Sequence, residues 1–569
     1  MRRLIDRSLW FRESVRRRFG GRAARRSAAL IGAGLVTALV AVQFRGATPS
    51  VAMGAPHYIE EAAAAGLDHL YDGDSKFAVG AGVAAFDCNG DDKPELYLAG
   101  GSNPAALFRN DSPTAGALRF SPLHDPAVDL TDVYGAYPLD IDGDGVVDLA
   151  VLRNGESVLL RGLGACRFER ANEAWSFDGG HAMTTAFSAT WEGSARLPTL
   201  ALGNYHVLDA AGEPTDDCAG NELFRPAPTG IGYAAPRDLS PGFCALSMLF
   251  SDWDRSGRSD LRVSNDRYYY DPARGQEQLW RIAPGEDPRL YTSADGWMKV
   301  QIQGMGIAGY DLTADGLPDY YLTSQASNRL QTLTGRGGRP TYGDIGLERH
   351  VLATAPFTGG DTRYSTSWHP EFQDVNNDGF VDLFVSKGNV YEQLDYAQKD
   401  PSNLFLGQPD GVFIEGAEAA GIVSFWRGRG AALVDLNLDG LLDLVEVNYK
   451  DRVQLFRNVG SGTAMQPSQM GHWLAIDLVA AEPNRDAIGA WIEVKAGDLT
   501  LTREVTVGGG HDGGQLGWIH FGLGSASEAK VRVQWPGGEE GPWIEVKADS
   551  FDVIERGATA AKPWVPPGE

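Results

Sequence analysis

Nine residues, "DIDGDGVVD" from Asp140 to Asp148, set four carboxylates around a glycine. Acids at positions 1, 3, 5 and 9 of a loop, a backbone carbonyl at position 7 and a glycine at position 6 build the oxygen cage of a calcium loop. Asp140, Asp142, Asp144 and Asp148 take the acid positions, Val146 the carbonyl position and Gly145 the turn. An EF-hand also needs a glutamate at position 12 and helices on both sides. Position 12 here is Val151, inside "VVDLAVL", whose β-branched residues read as a strand. The chemistry is that of a calcium loop and the setting is a pair of strands.

The same spacing recurs five times. The candidate ligands are Asp87, Asn89, Asp91, Lys93 and Glu95; Asp252, Asp254, Ser256, Arg258 and Asp260; Asp311, Thr313, Asp315, Leu317 and Asp319; Asp374, Asn376, Asp378, Phe380 and Asp382; and Asp435, Asn437, Asp439, Leu441 and Asp443. Residues at position 7 offer their backbone carbonyl. Position 12 carries glutamate only in the last loop, as Glu446 within a strand-like run, so the EF-hand reading fails. Up to six calcium ions are expected. The loop at Asp140, with four carboxylates, is expected to bind tightest, and the loop at Asp87, with Asp92 where glycine is usual, to be atypical. Magnesium fits less well, because it demands octahedral ligation and keeps its waters.

Spacing then gives architecture. Asp87 to Asp140 is 53 residues, and the steps from Asp252 to Asp311, Asp374 and Asp435 are 59, 63 and 61. The 112 residues between Asp140 and Asp252 hold a bare copy, "TAFSATWEGSARLPTLALGNY", with Trp191, Gly193 and Ala195 in place of acids. Each repeat adds an aromatic-led strand such as "RFSPL" before the loop and a strand such as "ALFRN" or "QLFRN" after it. Seven repeats of four short strands predict an all-β fold, a seven-bladed β-propeller with calcium-loop repeats over residues 53–465. "HYIEEAAAAGL" from His57 echoes "VFIEGAEAAGI" from Val412, so residues 57–61 are expected to supply the outer strand of the last blade and leave no open edge. A small β-rich domain is expected over 466–556 and a flexible tail over 557–569.

These repeats resemble the FG-GAP/VCBS type found in integrin α-subunit propellers. "NRDAIGAWIEVKAGDLTLTREVTVGGG" from Asn484 and "HFGLGSASEAKVRVQWPGG" from His520 resemble the ASPIC/UnbV domain. The two in this order are similar to the cartilage acidic protein family and its bacterial relatives. The resemblance implies the propeller fold and calcium, and says little about activity. It lapses at the bare third repeat, which argues against a seventh ion, and near Gly514, where a small polar residue is usual.

Composition fits a chain outside the cytoplasm. Residues 1–52 hold an arginine-rich stretch, the apolar run "SAALIGAGLVTALVAVQF" and small residues ending at Ala52: a signal peptide or an uncleaved anchor. They carry eleven arginines and two acids, so of the chain's 50 basic and 75 acidic residues 39 and 73 remain, which disfavours nucleic acid as a partner. Four cysteines allow three pairings, of which Cys218 with Cys244 is preferred; Cys88 reads as a small buried residue in its loop. The histidines lack metalloprotease and zinc spacing. His181, His206 and His369 could meet near Tyr205 and Trp368 on one propeller face, although ordinary loop or core roles are the preferred reading. "VGGGHDGG" lacks the lysine of a phosphate loop and reads as turn and bulge chemistry. The expected function is a non-enzymatic binding or adhesion protein with a protein or glycan partner. The alternative is a polysaccharide lyase or hydrolase, which would show a His, Arg, Tyr and acid cluster over the pore.

Overall fold

The computed structural model describes residues 50–566 except 269, 272–275, 326, 354–364 and 391–399, so the arginine-rich leader lies outside the described residues. Seven strands of mainly small or β-branched residues stand innermost: Val83–Phe86, Val133–Leu139, Ala182–Thr190, Ala245–Ser251, Gly304–Tyr310, Ser367–Gln373 and Gly428–Val434. Each pairs antiparallel with the strand that follows its loop, and two further strands complete each four-stranded unit. The innermost strands pack side by side round an axis, with Gly428–Val434 returning to Val83–Phe86. The fold is a β-propeller. Tyr58–Glu60 pairs with Gln454–Asn458 in the register Tyr58↔Asn458, so an N-terminal strand joins the unit made by the end of the ring.

The bare copy keeps this plan. Ala182–Thr190 and Thr199–Leu208 pair around the acid-poor loop, where Arg225 grips Glu192 with two N–H donors at 2.6 and 3.0 Å. A fixed guanidinium there neutralises the one acid the loop has.

After Gly471 two four-stranded sheets face each other. One is centred on His472–Val479, which pairs parallel with Ser550–Glu555, and the other on Trp491–Ala496. Leu474, Ile476, Ile492, Val494, Val531 and Phe521 fill the space between them. The expectation of a flexible tail is corrected: Lys562–Trp564 pairs with Ser550–Glu555, and the Trp564 ring lies 5.3 Å from Trp518 and 5.5 Å from Phe551. Apolar burial of the indole holds an edge strand in which Pro563 is tolerated.

The glycine cluster also needs correction, for it is more than a turn. The segment 505–516 leaves this domain and enters the propeller channel. Val507–Gly508 pairs with Ser188 and Ala189 of the third innermost strand, and Gly508 faces Leu249 of the fourth. The Gly509 and Gly510 N–H groups donate to Met248 and Ile307 carbonyls at 2.6 and 2.7 Å. The segment then turns, bridging Ala136 through Gly513 and Ala85 through Gln515. Gly508, Gly509 and Gly510 have φ of +119°, +72° and +56°, values costly for residues with a Cβ. Channel glycines give way in turn: a Cβ on Gly135 would stand 1.6 Å from the Asp512 carbonyl oxygen.

Both disulfides are formed. Cys218–Cys244 is the expected pair, and Cys88–Cys166 corrects the reading of Cys88 as merely buried, since the turn after Gly164 brings Cys166 N–H to the Cys88 carbonyl at 2.8 Å.

Gly135→Ala should expel the inserted segment. We expect a loss of about 3 kcal/mol, the upper end for overpacking, with new protease cleavage within residues 505–516, while Gly54→Ala, which meets no atom within 4 Å, stays like the parent. Equal melts for the two variants would show that the contact is dispensable.

Candidate functional site

All six acidic loops share one hydrogen-bond plan. The first aspartate cradles the turn: Asp140 accepts from Gly143, Asp144 and Gly145 N–H at 2.8, 3.1 and 2.8 Å. Asp374 accepts from Asp378 and Gly379 at 3.1 and 2.7 Å, and Asp435 from Asp439 and Gly440 at 3.0 and 2.7 Å. Asp311 does the same with Asp315 and Gly316, and Asp252 with Ser256 and Gly257. The carboxylate at position 9 fastens the loop to the sheet: Asp148 takes Ile141 and Gly162 N–H, Asp382 takes Val375 and Gly407, and Asp443 takes Leu436 and Asn458. Asp144, Asp315, Asp378 and Asp439 each accept the position 7 N–H of Val146, Leu317, Phe380 and Leu441, which fixes the residue whose carbonyl was assigned as a ligand.

The loops differ in what remains for an ion. Carboxylate oxygens of Asp140, Asp142 and Asp148 lie within 4.8 Å of one another, and Arg161 reaches Asp142 and Asp144 at 2.9 and 3.1 Å from outside. In the last loop Asn437 is fully buried and its Oδ1, the position 3 ligand atom, has no hydrogen-bond partner among the described residues. In the loop at Asp374, Asn376 and Asp378 are fully buried, and Asp378 accepts Met53 N–H at 2.6 Å. These donor sets fit a hard cation. The loop at Asp252 fits less well. Asp260 already receives the Trp253 indole N–H at 2.9 Å, the Tyr291 hydroxyl at 2.8 Å and Ile282 N–H at 3.0 Å, and the Arg258 guanidinium lies 3.3 Å away. Asp254 accepts Ser256 N–H at 3.3 Å. In the loop at Asp87, Asp92 itself adopts φ +62° and donates its N–H to Asp87 at 2.7 Å, doing the work of the usual glycine. There Glu95 receives Cys88 N–H and the Asn89 amide, Asp91 receives Lys93 N–H, and the Lys93 ammonium turns away to the Ser112 carbonyl at 2.8 Å. In the loop at Asp311, Asp319 binds Leu312 and Thr313 N–H, both at 2.9 Å.

Packing these acids away from water raises them. Burial, followed by neighbouring carboxylates, lifts Asp140 and Asp311 to about 6, and burial lifts Asp148 and Glu95 to about 8.

The C-terminal domain docks on this loop face. Glu504 accepts Asp252 N–H at 2.7 Å, His520 Nε2 meets Asn377 Oδ1 at 2.6 Å, and Arg485 donates to the Gly143 carbonyl at 2.8 Å. Asp486 sits beside Asp140 and is raised to about 7 by burial, then by the charges of Asp140 and Asp477. None of these contacts was read from sequence, because they join residues hundreds of positions apart with no local pattern.

On the opposite face the channel opens into a second candidate site. Tyr205 donates its hydroxyl to Asp266, and Arg267 Nε reaches that hydroxyl at 3.1 Å and Asp266 at 3.3 Å. His206 lines the same cavity, whereas His181 is exposed and not part of its lining. His369 is buried deeper, accepting His511 N–H at 3.1 Å and lying 3.3 Å from Glu371. Trp368 floors the cavity between the Arg429 guanidinium at 4.1 Å and the His511 ring at 5.0 Å. Of the three histidines, then, one lines the mouth and one the channel.

The chain is similar in parts to known proteins. Residues 87–151 and 374–446 match the FG-GAP-like repeat, and residues 480–561 match ASPIC and UnbV. Cartilage acidic protein 1 of Xenopus tropicalis is 22% identical over 229 residues, covering 39% of this chain and 34% of that protein. Its Mus musculus counterpart is 24% identical over 202 residues, covering 31% and 27%. The matched part thus spans about a third of those relatives or less. The crystal structure of BBS1N in complex with ARL6DN aligns at a TM-score of 0.39 and 11% identity, covering 68% of this chain and 94% of that one.

The raised acids predict a pH dependence for metal-free protein. A folded-state value above the unfolded carboxylate value of about 4 contributes stability at low pH and loses it as pH rises through the folded value. In EDTA the melting midpoint should therefore fall between pH 5 and 8, through the values near 6 and near 8. With saturating calcium the fall should flatten. A midpoint that rises with pH in EDTA would refute this.

Proposed function

From a chain that carries FG-GAP-like repeats and an ASPIC/UnbV domain and is distantly similar to cartilage acidic protein 1, we propose an exported interaction protein in which calcium rigidifies the propeller loops. The convergence of Asp140, Asp142 and Asp148 oxygens within 4.8 Å carries the metal reading. Like charges about 4 Å apart repel by roughly 4 kcal/mol at an effective dielectric of 20, and a divalent cation reverses that sign. Asp140, Asp142, Asp144, Asp148 and the Val146 carbonyl would hold one ion. The sets at Asp374 and Asp435 would hold others, and the loop at Asp311 a further one. The loop at Asp252 is the poorest candidate, because protein donors already satisfy Asp260.

Because Glu504, Arg485 and His520 dock against these loops, ion binding also steadies the seat of the C-terminal domain. The leader and the acidic remainder support export. No helix among the described residues is long and apolar enough to cross a membrane.

The cluster over the pore gives the enzymatic reading its one foothold. A lyase or hydrolase needs a base. Here the Tyr205 phenol donates to Asp266 and is held well above its ordinary value by burial, then by the Asp266 charge, so it keeps its proton. His206, lowered by burial, faces the Asp217 carbonyl at 3.4 Å. Tyr205, Asp266 and Arg267 engage one another, which supports a binding wall and leaves His206 as the base an enzymatic reading would need.

Calcium titrated into EDTA-treated protein should raise the melting midpoint, with magnesium doing less. A hundredfold excess over Kd contributes about 2.7 kcal/mol per site. Asp140→Asn should remove part of that gain, whereas Asp254→Asn should change it little. No shift with either ion would withdraw the metal assignment.

A further inference from the structure

The mouth of the channel away from the loops encloses about 680 Å³, within the range of small-molecule sites. The metal chemistry leaves this cavity unused. We propose that it binds a neutral saccharide; this rests on the reading of the chain as an interaction protein and supplies the ligand class for it.

Charge comes first. The two cations of the wall are already paired: the Lys76 ammonium with Glu213 at 3.0 Å and Asp74 at 3.9 Å, and Arg267 with Asp266 at 3.3 Å. An anionic ligand would compete for these two cations with the four carboxylates of the same lining, Asp74, Glu213, Asp216 and Asp266. An uncharged ligand breaks neither pair.

Hydrogen-bonding capacity is nonetheless dense. The Gln303 and Gln325 side-chain amides, both half-buried, join at 2.8 Å and each keeps further donor and acceptor positions. The half-buried His206 ring adds a donor or an acceptor. Groups that both give and take hydrogen bonds suit the hydroxyls on the rim of a pyranose. Apolar contact open to a ligand comes from the half-buried Pro214 and Val390, while Met183, Met305 and Trp368 are buried beneath and back the floor.

The wall is also preorganised. His206 faces Cys218 across the strand pair, and the Cys218–Cys244 disulfide ties that hairpin to the start of the fourth innermost strand. A wall fixed before binding loses little entropy when the ligand arrives.

The test presents the full chain, in calcium, with an immobilised panel of neutral hexose- and N-acetylhexosamine-terminated oligosaccharides, beside sulfated glycans and a basic peptide. We expect retention on at least one neutral saccharide, competed by the free sugar and weakened at least tenfold by Gln303→Ala and by His206→Ala, with unchanged melting midpoints and with Lys530→Ala as an unaffected control. No retention on any neutral saccharide, retention indifferent to both substitutions, or retention only of the sulfated glycans or the peptide would each overturn the proposal. Running the panel in EDTA separates the two readings. Gln303-dependent retention by a chain whose melt ignores calcium keeps this site and removes the metal assignment, whereas a calcium-stabilised chain that retains no neutral saccharide does the reverse.

Discussion

Seven innermost strands around an axis leave a channel whose inward backbone groups need partners, and this constraint shapes the molecule. A buried N–H or carbonyl without a partner costs roughly 1–3 kcal/mol. Here part of that need is met from inside the same chain. The segment 505–516 lends its own N–H and carbonyl groups to Met248, Ile307 and Ala85. The fit requires the absence of side chains on both partners, at Gly508–Gly510 on the insert and at Gly82 and Gly135 on the ring. The two β domains consequently share buried backbone, and neither packs as it does here without the other.

Charge is the second constraint. Each acidic loop turns its first carboxylate inward to hold the turn and its ninth to hold the sheet, so the acids perform structural work even before an ion is considered. That arrangement makes the loops compact and simultaneously makes them repel themselves. The loops differ in how a guanidinium meets that charge. In the bare third copy and at Asp260 a guanidinium stands beside the carboxylate. At Asp140 the guanidinium of Arg161 stays on the rim and leaves three carboxylates converging.

Much of this was legible in the sequence because it repeats. The spacing of Asp87, Asp140, Asp311, Asp374 and Asp435 exposes the period, and the strand–loop–strand pattern gives the β-propeller. What repetition could not show is anything that occurs once. The insert reads locally as "VGGGHDGG", a cluster equally at home in a bulge, and only the ring's own glycines reveal where it goes. Trp564 sits in a stretch rich in alanine, proline and glycine, the composition of a loose tail, and tertiary packing on Trp518 and Phe551 overrides that signal. The Cys88–Cys166 bridge joins two turns 78 residues apart, a separation from which no pairing can be deduced. Among the site residues, spacing set each acid in its loop but could not name its partners: Asp260 has the spacing of a ligand, yet Trp253, Tyr291 and Arg258 engage it.

The two faces of the ring are therefore unequal, and the insert is what separates them. From the loop face it carries His511 and Asp512 to full burial at the centre, where burial raises the acid and lowers the histidine to about 3. Their side chains approach to 3.1 Å. The His511 ring supports Trp368 from below, and Trp368 floors the opposite mouth. One aromatic contact thus joins the docked domain on the acidic loop face to the base of the cavity on the other. A run of contacts, from Asp252 through Glu504 and the insert to Trp368, leads from the loop face to the cavity floor.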